Sequence, residues 1–235
     1  MKKKKKSRKP QNPRVIEHVE PEGFHPTPVD APAQWDQLRH QHYQQYFGES
    51  TSVLHEVSSQ IFRIHIHIFP SSKKLKRNFT TLVTSGMSDS AMKIPKKLDP
   101  SYARREIIMY VPDYESKLYS LEQTWFEKIL RYTAHFPFEY DTWLGEGHTI
   151  QNGNPPQPIT EGSLLTNMFL LPPIYEAPEA AQIQLDDTPV KLLWLTFLTD
   201  AEAEYKIENG YSKLAKKFTH ENFPRVVDPG RKSII

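Results

Sequence analysis

Between Ala31 and Gly48 the chain places Trp35, Leu38, His42 and Tyr46 at three- and four-residue steps, which predicts a helix that starts near Asp30 or Pro32 and is closed by Gly48. The period then changes to two. "SVLHEV" and "QIFRIHIHIF" read as two strands with the polar "SSQ" turning between them. In the second, Phe62, Ile64, Ile66 and Ile68 point to one side and Arg63, His65 and His67 to the other, because successive strand side chains alternate across the sheet. A basic loop, "SSKKLKRN", leads to a third strand, "FTTLVTSG", and "ARREIIMYVP" is a fourth, stopped by Pro112.

"ESKLYSLEQTWFEKILRYTAHF" carries the strongest helical pattern. Leu118, Leu121, Trp125, Ile129 and Thr133 form one stripe, widened by Phe126 and Leu130, and Pro137 is expected to end it. "SLLTNMFLLPPI" is apolar without alternation, as a strand buried on both faces would be. "AQIQLDDTPVKLLWLTFL" has a turn at Asp186-Asp187 and then a long strand, apolar on both faces and therefore placed centrally in the sheet. Thr199 followed by Glu202 is a capping box opening a last helix, whose buried stripe is predicted as Ile207, Tyr211, Leu214 and Phe218. Strands in runs, rather than in strict alternation with helices, predict an α+β fold: a central mixed, largely antiparallel β-sheet flanked by helices, in a single domain.

Length and charge refine this picture. The chain has 235 residues, of which 37% are hydrophobic, enough for a sizeable core. No apolar run approaches the ~18–20 residues of a membrane span, and no apolar segment follows the basic start as a secretion signal would require. There is no cysteine, so disulfides and thiolate metal sites are excluded and a reducing cytoplasm is the expected compartment. The Asn78-Phe79-Thr80 glycosylation pattern is accordingly read as chance. The net charge of +2 hides an asymmetry: residues 1–14 hold eight Lys or Arg and no acid, leaving a body of net charge −6. Two readings stand for this tail: weak contact with nucleic acid or anionic lipid, and simple solvation, which the lack of interleaved aromatics favours. The expected division is a basic, Pro-rich disordered lead-in (1–29), a folded domain (30–222) and an irregular C-terminal tail (223–235).

Three constellations invite chemistry. His65 and His67 have the spacing of a two-His metal edge, but no third ligand follows at fixed spacing and Arg63 on the same face would repel a cation. The row is therefore read as polar and solvent-facing, and neither metal nor cofactor is expected. "TSGMSDSAM" sets Ser85 and Ser88 around Gly86 at a strand end but lacks the second glycine and following helix of a nucleophile elbow. It is read as a tight turn in which Ser88 and Asp89 bond the backbone. In "DTWLGEGHTIQNGNPPQPI", Glu146 and His148 could serve as acid and base, and with Asp89 they would make a hydrolase pocket between two loops. The alternative is structural. Gly145, Gly147 and Gly153 permit reversals, Asn152-Gly153 is a turn, the prolines stiffen the segment, and Trp143 anchors it.

Four stretches in order, "TLVTSGMSDSAM", "WLGEGHTIQNGNPPQPI", "FLLPPI" and "LWLTFLTDAEAEYKIENG", resemble the suppressor of fused domain family in its bacterial form, over roughly residues 30–220. The matching loop positions are Ser85, Gly86, Met87, Ser88 and Asp89, and Trp143, Gly145, Glu146, Gly147, His148, Asn152 and Gly153. The resemblance implies an α+β fold and a protein binder rather than an enzyme. The animal member sequesters a transcription factor and has a further C-terminal domain for which this chain is too short. Bacterial members are regarded as immunity proteins of polymorphic toxin systems. What the resemblance implies here is a partner protein, with a basic toxin domain as the candidate, and no catalytic residue.

Overall fold

The computed structural model of the chain describes residues 15–16, 18–19, 21–23, 28–29, 31–59, 61–113, 125–219 and 223–235. The basic tail, Asp30 and the Leu118 and Leu121 part of the predicted long helix lie outside the described residues.

An eight-stranded sheet organises the molecule. Its strands are β1 (Ser52–Leu54), β2 (His65–Phe69), β3 (Phe79–Ser85), β4 (Arg105–Pro112), β5 (Thr149–Gln151), β6 (Leu165–Leu171), β7 (Gln182–Leu185) and β8 (Thr188–Thr199). The order is β1-β2-β3-β4-β8-β6-β5, with β7 pairing β8 in a hairpin through Asp186. All pairs are antiparallel except β4 with β8. The sheet is thus mixed and largely antiparallel, with β8 near its centre and Trp194, Leu195 and Leu198 wholly buried, as the apolar run of that strand predicts.

Side-chain alternation divides the interior into two cores. On one face Ile64, Ile66, Leu82, Ile107, Met109, Leu193 and Leu195 meet helix α2 (Trp125–Glu139) through Phe126, Ile129, Leu130 and Ala134. On the other, Phe69, Val83, Ile108, Tyr110 and Trp194 meet helices α1 (Trp35–Phe47), α3 (Asp200–Asn209) and α4 (Tyr211–Ala215). The fold is α+β, a sheet flanked by helices.

Several sequence expectations are corrected. The buried stripe of α1 is Trp35, Arg39, Tyr43 and Phe47, one step away from the predicted Leu38, His42 and Tyr46. Arg39 can join that stripe because its guanidinium meets Ser85, Ser88 and Asp89 there. Of the predicted second strand only His65–Phe69 is regular, although Phe62 and Ile64 still enter the core by the same alternation. His67 does not face solvent: α1 covers it, leaving it 4% exposed. Helix α2 continues through Pro137 to Glu139, ending only where Asp141 adopts φ 48°. A proline in the last turn removes a single helical hydrogen bond, which the packing of Phe136 and Phe138 outweighs. The last helix breaks at Gly210 (φ 88°), so its predicted stripe is not continuous: Leu214 is buried, Ile207 and Phe218 are half-buried, and Tyr211 is exposed. Thr199 and Glu202 form the predicted capping box, each side chain bonding the other's backbone N–H.

The C-terminal segment is irregular but integral. Phe223 and Val227 are buried, and Val227 N–H donates to the Tyr110 carbonyl (2.9 Å). Arg231 makes two bonds to the wholly buried Glu202 (2.6 and 2.7 Å).

Candidate functional site

The first loop follows β3. Gly86 sits at φ 117°, and a Cβ there would lie 2.4 Å from the Arg63 carbonyl oxygen, so only glycine fits. Residues Met87–Asp89 then form one 3₁₀ turn. Under the turn lies Glu106 of β4, fully buried. Its carboxylate accepts from Thr84 Oγ1 (2.6 Å), Gly86 N–H (3.0 Å), Ser88 N–H (2.9 Å) and Ser88 Oγ (2.6 Å). From the opposite side Arg39 of α1 donates to Ser85 Oγ (2.8 Å), Ser88 Oγ (3.1 Å) and Asp89 Oδ1 (2.6 Å). Ser85 in turn donates to Asp36 (2.8 Å), and Tyr43 to the Thr84 carbonyl (2.8 Å). A buried ion pair is stable only when its remaining lone pairs and protons are satisfied, and this one meets that demand. The expected turn is present, but Ser88 and Asp89 bond the buried Glu106 and Arg39 side chains rather than the backbone. Ser88 Oγ donates to a carboxylate that Thr84 Oγ1 and the Gly86 and Ser88 N–H groups also occupy, so the hydroxyl is held as part of the turn.

The second loop begins beyond α2. Trp143 is half-buried on the α2-side core, its ring edge-on to His148 (4.4 Å between centroids) and near Tyr102 (6.3 Å). Gly145 makes room for that ring: a Cβ would come within 2.6 Å of Trp143 Cζ3. Gly147 N–H donates to the Leu170 carbonyl (2.7 Å), Leu170 N–H to the His148 carbonyl (3.0 Å), and β5 then pairs with β6. Asn152 closes the remainder. Its amide donates to the Gln157 (2.8 Å) and Pro158 (3.2 Å) carbonyls, which folds Gly153 and the prolines into a compact surface turn.

The loops join just downstream of the first turn. Lys93 N–H reaches the Thr142 carbonyl (3.3 Å), and Leu144 N–H reaches Met92 Sδ (3.4 Å). Their acidic groups nevertheless separate. Glu106 and Arg105 point to opposite faces of β4; Asp89 belongs to the Glu106 side through Arg39, whereas Glu146 lies in the field of Arg105. Among the described residues no hydrogen bond or ion pair links Asp89 to Glu146 or His148.

Around the second loop the ionisable groups are perturbed together. Burial lowers the pKa of His148, with Lys206 adding to it against the Trp143 carbonyl and Glu146. Burial also lowers Lys206, whose ammonium donates to Thr149 Oγ1 (2.8 Å). Burial and Glu146 raise Tyr211. Burial lowers Arg105, whose Nε and Nη2 have no hydrogen-bond partner among the described residues. Half-exposed Trp143, Glu146, His148 and Lys206, with Tyr211 at the rim, make a shaped polar and aromatic face. Among the described residues no group of three or more His, Asp or Glu is arranged to hold a metal ion, and no helix is long and apolar enough to cross a membrane.

The pattern of residues had signals for the two loops but not for Arg39, Arg105, Glu106 or Lys206. Glu106 was visible as a lone acid entering the apolar run "IIMYV", and Arg39 as the residue four after Trp35; neither position names its partner.

The model of the family described as suppressor of fused protein (SUFU) matches residues 61–232. Two solved structures share the fold. One, described as the crystal structure of the Sufu–Fu complex, has a TM-score of 0.60 at 13% identity, covering 85% of this chain and 92% of that one. The other, Drosophila Suppressor of Fused, has a TM-score of 0.58 at 15% identity, covering 89% of this chain and 52% of that one. No curated protein matches the chain. With the family model spanning most of its length, the chain belongs to the suppressor of fused family.

Proposed function

We propose that the chain is a non-enzymatic protein-binding domain and, more narrowly, a bacterial cytoplasmic immunity protein that neutralises a partner toxin by covering it. The observation that carries the reading is the loop architecture. Ser85, Ser88 and Asp89 are committed to Arg39, Asp36 and Glu106, so they hold a shape, while Trp143, Glu146, His148 and Tyr211 remain presented beside it. A pre-ordered aromatic face lowers the ordering cost of association. Support also comes from family membership and from a fold neighbour described as part of a complex. The acidic body, net −6 without the tail, suits steering toward a basic partner.

A hydrolase built on Glu146, His148 and Asp89 has less support, because the Asp89 carboxylate is taken by Arg39. The test is genetic and then biochemical. Co-expression with the product of the neighbouring gene should rescue growth, and the pair should co-purify. Glu146→Gln, which keeps the side chain's size and adds no cation beside Arg105, should weaken that complex at least tenfold with little change in melting temperature, which is a loss of ~1.4 kcal/mol of binding. Cells still killed on co-expression, or an affinity indifferent to Glu146, would remove the narrower reading.

A further inference from the structure

Helix α1 reaches the sheet over a row of histidines. His40 on the helix and His67 on β2 set their Nδ1 atoms 3.4 Å apart, a hydrogen bond that needs one nitrogen protonated and the other bare. His67 is enclosed by His40, by the Tyr43 ring edge (5.6 Å) and by the Phe69 ring stacked at 6.3 Å. Beside it His65 accepts the Glu56 N–H at Nδ1 (3.3 Å) and touches the His55 ring (4.9 Å), so this pair too uses a neutral imidazole. The same helix carries Asp36, one turn back, and Arg39, the residue before His40, which fasten Ser85, Ser88 and Asp89.

We propose that the His40–His67 pair is a proton-operated catch for α1: doubly protonated it cannot close, and opening it releases the 85–89 loop from Arg39. The charged and titratable groups facing His67 are Asp36, Arg39, His40 and Tyr43 from α1 and His65 from its own strand, with Glu106 of β4 behind Arg39. Arg39, His40 and His65 oppose a charge on His67, as does burial. Asp36 favours one, but its carboxylate is already engaged by Ser85 and Arg39. Burial first and His40 next hold the pKa of His67 at about 4. Once α1 lifts, the ring regains the ordinary value near 6.5, so the open state takes up a proton that the closed state refuses.

The catch does not depend on the identity of any partner, and the full chain alone tests it. Hydrogen exchange would be followed by mass spectrometry at about pH 7.5 and pH 5.5, with labelling times scaled to the intrinsic exchange rate. Peptides from α1 and from residues 79–90 should lose protection about tenfold at the lower pH relative to those from α2, the factor expected for one pH unit of differential proton binding. His40→Gln, at a half-exposed position, leaves His67 a neutral amide to bond and should shrink that difference. His67→Phe should remove most of it while filling the same apolar site, the remainder coming from His42 and His65. Equal loss of protection in α1 and α2, or an undiminished pH response in His40→Gln, would overturn the proposal whether or not His67→Phe folds.

Discussion

The Glu106 carboxylate and the Arg39 guanidinium lie 3.9 Å apart in the interior, and Ser88 Oγ is shared between them, donating to the first and accepting from the second. One strand residue and one helix residue, 67 positions apart in the chain, thereby shape a loop that neither belongs to. Truncating one partner leaves the other buried and uncompensated. Arg39→Met and Glu106→Gln should each destabilise by about 3–5 kcal/mol, and the double variant by less than their sum. Urea titrations of the three variants check this. Additive losses would mean that the pair is not coupled.

Gly86→Ala should be costly despite adding a single methyl group. The new Cβ meets the Arg63 carbonyl at 2.4 Å, and the residue must keep φ 117°. Backbone, unlike the end of a side chain, has little room to give, so a loss of about 2–4 kcal/mol is expected in the denaturation midpoint.

Trp143 and Gly145 should behave as one unit. Gly145→Val drives two methyl groups into the space of the Trp143 ring, which a bare Cβ would already approach to 2.6 Å. Gly145→Val and Trp143→Ala should each lower stability by about 2–4 kcal/mol, whereas Gly145→Val in the Trp143→Ala background should cost far less. Glu146→Gln, with no side-chain hydrogen bond to lose among the described residues, should leave the melting temperature nearly unchanged. A Gly145 penalty that is the same in both backgrounds would place the strain elsewhere.

Arg231→Met tests whether the irregular C-terminal segment is part of the domain. Glu202 is fully buried; burial pushes its pKa up, but the bonds from Arg231 and from the Thr199 and Ile234 N–H groups outweigh this and hold it low. Removing Arg231 should cost about 3 kcal/mol or more. It should also open residues 223–235 to protease, which mass spectrometry of the fragments would detect.

Stability should fall on acidification through the histidines. His67 is neutral in the folded chain down to about pH 4 but protonated in the unfolded chain below about 6.5. The unfolded state therefore binds more protons in that window, and stability is complete above it and declines as the pH drops. His67 alone accounts for up to about 3 kcal/mol over the window. His42, His65 and His148, all lowered chiefly by burial, act in the same direction. Urea midpoints measured between about pH 7.5 and 4.5 check the slope, which His67→Phe should reduce.

What the sequence determined by itself was mostly local. The inward alternation of Phe62, Ile64, Ile66 and Ile68, the doubly apolar β8, the Asp186 turn and the Thr199–Glu202 capping box depend on neighbours a few residues away, and all appear in the structure, although regular strand covers only His65–Phe69 of the first. Two loops also stood out, because glycine, proline and tryptophan leave a mark wherever backbone must bend tightly. The tertiary structure decided the rest, wherever a residue's environment is supplied from far along the chain. Arg39 and His67 look like solvent-facing polar positions until α1 lands on the sheet and buries both. Asp89 and Glu146 look like one acidic pair until β4 sends Glu106 and Arg105 to opposite faces and each carboxylate follows its own cation. Periodicity tells which way a side chain points, but only packing supplies the charge it meets there, and in a buried site that charge sets both stability and protonation.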